Sequence, residues 1–143
     1  MPSPRAQRLI ADITARSQAT GWVQAVSSEV IVDTKSRTRV SVTLGVVGNP
    51  RQKSTRRPAN SKSPMVIADE THEDERTTEY RYDFVDEGYL FREAFHFHGH
   101  GGGAPSSHYH IVPGEGHGVP CSRVSLIDAL GTFLISYHRN RFG

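Results

Sequence analysis

Five of the chain's eight histidines lie between residues 96 and 110. An extended segment turns successive side chains to opposite faces. In strand form, His96, His98 and His100 would therefore share one side, with Phe95 and Phe97 on the other. His108 and His110 repeat the pattern, with Tyr109 and Ile111 opposed to them. Imidazole is the commonest metal ligand and the side chain that titrates near neutral pH. Suppose 95–100 and 108–112 pair as antiparallel strands across the glycines at 99 and 101–103. One register then puts His100 opposite His108 and His98 opposite His110. Cross-strand Cβ atoms would stand about 4.5–5.5 Å apart, within reach of one ion or one phosphate.

Three chemistries fit these residues. In the first, His98, His100, His108 and His110, with His96 as a further candidate, hold a divalent transition metal such as zinc. Cys121 is the single cysteine, so a catalytic site of three histidines plus water fits better than a cysteine-rich structural site. In the second, His96, His98, His108 and His110 act as metal-free acid and base on RNA. Arg92, of the same strand parity, would stabilise the phosphate, and Ser106 and Ser107 would touch substrate. The third is non-catalytic: a regulatory or interaction surface, or a solvated histidine-rich rim. His72 and His117 take no role, and His138 reads as a cation at a helix C-terminus. The glycines at 99–103 lack the Lys-Ser/Thr helix start of a phosphate-binding loop.

Several elements must position this cluster. Ser3 and Pro4 suit a helix start, and Ala6, Leu9, Ile10 and Ile13 make an apolar stripe, predicting a helix over 4–19. Trp22–Val32 reads as one bent strand, with Trp22 anchoring the core. Val40, Val42, Leu44 and Val46 alternate with polar residues and complete a hairpin. Residues 48–78 lose the pattern and read as a long charged loop, basic then acidic, with at most a brief strand at Met65–Ile67. Tyr80, Tyr82 and Phe84 lead through the turn signal Asp86-Glu87-Gly88 to Phe91, Phe95 and Phe97, with Glu93 out of pattern. Ser125 and Asp128 begin a closing helix whose stripe is Leu126, Leu130, Phe133, Leu134 and Tyr137. Gly131 in its middle implies close packing there.

The 143 residues fit a single domain, 1–143. The expected fold is α+β: an antiparallel sheet of four to five strands, the N- and C-terminal helices packed on one face, and the flexible loop 48–78. A net charge of only +2 excludes a generally basic nucleic-acid binder. With one cysteine, no apolar leader and no apolar run of membrane length, the reading is a cytoplasmic protein without membrane contact. A homo-oligomer is compatible with these features.

The second half carries Glu79-Tyr80-Arg81-Tyr82-Asp83-Phe84, Leu90-Phe91-Arg92, His108-Tyr109-His110 and Arg123-Val124-Ser125-Leu126-Ile127-Asp128-Ala129-Leu130. In this it resembles the TumE-type toxins of bacterial toxin–antitoxin modules. The resemblance spans residues 79–138 and reaches the 29–46 hairpin. Arg92-Glu93-Ala94-Phe95 stands where that family has Arg-Tyr-Asp-Asn. Membership would imply a toxin with an antitoxin protein as partner; RNA as a target comes from the histidine face, not from the resemblance.

Overall fold

The computed structural model describes residues 4–20, 23–32, 37–46, 64–86, 90–98, 107–112 and 118–142. Helix α1 (Pro4–Thr20) leads into β1 (Val23–Val32) and β2 (Arg37–Val46). There follow β3 (Met65–Glu73), β4 (Arg76–Asp86), β5 (Phe91–Phe97), β6 (Ser107–Val112), the short β7 (Val119–Pro120) and helix α2 (Leu126–Phe142). The strands form one antiparallel sheet in chain order, β1 to β7. The β1–β2 hairpin pairs Val30 with Val40 and Val23 with Val46, and its register shifts between Ala25 and Ser27.

Period-two alternation gives this sheet two faces. Val40, Val42 and Leu44 of β2, Val66 and Ala68 of β3, and Tyr82 and Phe84 of β4 lie on the buried one. Ala6 and Ile13 of α1 and Leu126, Ala129, Leu130 and Phe133 of α2 join them in the core. Phe133 is fully buried, its ring 5.8 Å from those of both Phe84 and Phe95. Ser125 caps α2, its hydroxyl accepting from the Asp128 amide at 3.2 Å.

The expectation of four to five strands with both helices packed on one face is corrected. The described chain is mostly an open antiparallel sheet of seven strands, to which two helices are added. These helices meet different strands, α1 lying against β1 and β2 and α2 against β4.

The charged loop is corrected in its second part. Residues 65–78 are β3, a two-residue turn and the start of β4, while 47–63 lie outside the described residues. Asp74 and Glu75 both take positive φ (50° and 63°), as the tight hairpin turn matching strand twist requires. The strand escapes an apolar-pattern reading because its inward positions include Glu70 and His72.

Glu70 is satisfied within the protein, while His72 is bonded through one ring nitrogen and leaves Nδ1 buried without a partner among the described residues. His72 Nε2 lies 2.7 Å from Glu70 Oε1, and the Tyr82 hydroxyl donates to Glu70 Oε2 at 2.5 Å. Burial would raise the Glu70 pKa, but the bonds from His72 and Tyr82 outweigh it and hold the carboxyl below its ordinary value.

Gly131 is not a close-packing device: a Cβ built there meets nothing within 4 Å. Gly131→Ala should therefore stabilise the protein by about 1 kcal/mol in chemical denaturation, through helix propensity alone. Glu70 generates a second expectation. A lowered folded pKa contributes stability above the unfolded carboxylate value of about 4.3, lost as pH falls through the folded value. Urea denaturation across that acid range should show a shallower loss of stability for Glu70→Gln than for the native chain.

Candidate metal centre

β4, β5 and β6 position the site by parity and register. In β5 the odd positions Glu93 and Phe95 meet Ser136 and Phe133 of α2, so Arg92, Ala94 and His96 point to the other side. β6 places His108 directly opposite His96 and His110 opposite Ala94. The expected register, His98 with His110 and His100 with His108, is thus displaced along the strands. Because the displacement is an even number of residues, the histidines still share a face. Tyr109 lies on the helix side, where its hydroxyl bonds Glu93.

The rings crowd together. His96 lies 5.4 Å from His108 and 4.9 Å from His110 between ring centroids, and His98 lies 5.2 Å from His108. His108 and His110 are 4.7 Å apart. His96 and His108 are buried, at 6% and 3% exposure, and His98 is the most open of the group. One ring nitrogen from each of His96, His98 and His108 lies within 4.8 Å of the other two. His110 stands beside this trio, and His100, a further expected ligand, lies outside the described residues. Arg92, also an expected site residue, lies on this face with its guanidinium bound to Asp83.

Asp83 was not singled out in the sequence, yet it anchors the cluster. Its Oδ1 accepts from Arg92 at 2.6 Å and lies 3.3 Å from His96 Nε2. Burial would raise the Asp83 pKa, but hydrogen bonds from His96 and Arg92 prevail and lower it. An ionised Asp83 can only accept, so His96 donates to it through Nε2. The register of β4 on β5 places Asp83 opposite Ala94, beside His96.

Two of the imidazoles, His98 and His110, are biased toward the neutral form. The His98 pKa is lowered by burial and then by repulsion from His108 and His96. That of His110 is lowered by burial, then by His96 and His108. Neutral imidazole is the ligating form.

Gly118 is the second functional residue missed in the sequence. A Cβ at this position would lie 2.8 Å from His108 Cδ2 and 3.1 Å from His110 Cε1, and its φ is +79°. Only glycine lets the backbone pass this close to the two rings in that conformation. Ser107 faces away from the cluster, its hydroxyl 3.9 Å from the Cys121 sulfur. Ser106 and His117 lie outside the described residues.

Compared with protein-family models, curated proteins and solved structures, the chain gives no match. No helix among the described residues is long and apolar enough to cross a membrane.

Gly118→Ala should displace His108 and His110 and strain the backbone, costing about 1–2 kcal/mol in denaturation. It should also shift the ring resonances of both histidines in an imidazole NMR spectrum. Unmoved resonances would show that the Gly118 approach does not shape the cluster.

Proposed function

We propose that this chain binds one divalent transition metal of the zinc class through His96, His98 and His108, leaving a coordination position for water or a substrate oxygen. The observation that carries this reading is the convergence of three ring nitrogens within 4.8 Å, with Asp83 behind His96. Tetrahedral zinc–imidazole geometry needs nitrogens about 3.4 Å apart, so the trio must close by roughly an ångström. His98, at the open end of β5, can supply that movement by side-chain rotation. Asp83 plays the part of the carboxylate that orients a ligating histidine through its other nitrogen.

Three neutral ligands leave the 2+ charge of the ion undiminished. Such an ion is a strong Lewis acid, suited to activating water for hydrolysis. The metal-free alternative, acid–base attack on RNA by the same histidines, requires Arg92 to meet the phosphate. Arg92 is already committed to Asp83 at 2.6 Å, and on that ground the metal reading is preferred. The toxin setting implied by resemblance would use this same site, with a phosphodiester as the substrate class.

Protein purified without an affinity tag should carry about one zinc per chain by elemental analysis, and cobalt(II) exchanged for it should give a tetrahedral visible spectrum. His98→Ala combined with His108→Ala should abolish stoichiometric binding. Asp83→Asn should weaken it about 10–100-fold, as loss of an outer-shell carboxylate does. Absence of stoichiometric metal, or its retention in the double variant, would overturn the reading.

A further inference from the structure

The opposite face of the sheet carries a second constellation, built of arginines. Arg5 in the first turn of α1 and Arg123 just before α2 converge on one residue, Thr77 of β4. The Arg5 Nε donates to Thr77 Oγ1 at 2.9 Å and its Nη1 reaches the Glu75 carbonyl at 3.5 Å. Arg123 donates to the Thr77 carbonyl at 2.8 Å, and its guanidinium lies 4.0 Å over the Phe97 ring. The groups these guanidiniums touch are a hydroxyl, two backbone carbonyls and a ring, while the Glu75 carboxylate accepts from the Arg5 backbone amide at 3.0 Å and the Arg5 charge lowers the Glu70 pKa. Among the described residues, no carboxylate forms an ion pair with either guanidinium.

Two like charges held on one residue repel, and a bridging anion relieves that repulsion. Each guanidinium also keeps N–H donors beyond those its neutral partners use. Arg8 stands one turn further along α1. With Arg5 and Arg123 it lines a cavity of about 400 Å³ whose wall also includes Asp12, Glu70, Tyr80 and the α2 cap Ser125, three cations against two carboxylates. A volume of this size accommodates a small organic ligand. A neighbouring cavity of about 590 Å³ shares Arg5, Thr77 and Arg123.

We infer that the cleft between α1, the start of α2 and the β3–β4 hairpin binds a small phosphate monoester, its phosphate held by Arg5, Arg8 and Arg123. Guanidinium forks match the oxygens of phosphate in paired, charge-assisted hydrogen bonds. Glu70 and Asp12, which line the same cavity, repel a second anionic group and suit a neutral, hydroxyl-bearing remainder. The site is separate from the histidine cluster, because Thr77 and Phe97 belong to the helix-side half of β4 and β5.

Calorimetric titration of the full chain with ribose 5-phosphate, AMP, inorganic phosphate and ribose tests this. The two esters should bind one per chain, inorganic phosphate more weakly, and ribose not at all. Arg5→Ala and Arg123→Ala should each weaken ester binding at least about tenfold. Arg123→Lys, which keeps the charge and loses the fork, and Arg8→Ala should weaken it less, and both provide the test if an alanine variant fails to fold. The His98→Ala, His108→Ala double variant should bind the esters normally, which separates this site from the metal. No saturation by ~10 mM ester, or undiminished binding in folded arginine variants, would overturn the inference. Inorganic phosphate binding as tightly as the esters would overturn the monoester assignment.

Discussion

The pairing of β5 with β6 is the constraint on which the rest of the molecule turns. Setting His96 opposite His108 fixes, in one register, what both faces of the sheet present. On one side the even positions of the two strands crowd imidazoles around Asp83. On the other, Glu93 meets Tyr109 and Ser136, and Phe95 meets Phe133. A slip of one residue would exchange the two sets, burying histidine under the helix and exposing phenylalanine. The apolar side thus enforces the geometry of the polar side.

Polar groups do much of the internal work. Glu70, Glu93, His72, His96 and His108 are all nearly inaccessible. Each carboxylate is held by a different chemistry: Glu70 by His72 and Tyr82, Glu93 by Ser136 and Tyr109, Asp83 by Arg92 and His96. The outcomes differ accordingly. Burial dominates at Glu93 and raises its pKa, whereas hydrogen bonding prevails at Glu70 and Asp83 and lowers theirs. Leaving any one partner unpaired in such surroundings costs more than the bond itself contributes.

Legibility in the sequence followed the apolar pattern. The β1–β2 hairpin, the β4–β5 hairpin and both helices were readable because valines, aromatics and leucines recur at the period of their elements. The shared face of the histidines was readable for the same reason, since parity survives any even shift of register. β3 was hidden: Glu70 and His72 occupy inward positions, and Asp74-Glu75 is not the glycine-containing dipeptide that usually marks such a turn. Glu93, out of pattern among phenylalanines, proves to be an inward residue that bonds Ser136, a partner forty-three residues away. Gly118 and Asp83 acquire meaning only when neighbouring strands are aligned, and single-strand alternation carries no register.

Strand order equal to chain order has a consequence for how the molecule assembles. Each strand docks on the one made just before it, so the sheet can grow like a zipper from hairpin to hairpin, without long-range crossovers between strands. The imidazole trio draws on the fifth and sixth strands, and Gly118 seals it from the segment leading into the seventh. Its ligands therefore meet late along that sequence, after β1 to β4 can already have closed. A metal ion bound as proposed would then act as a clasp on the far end of the sheet, not as a nucleus for the whole.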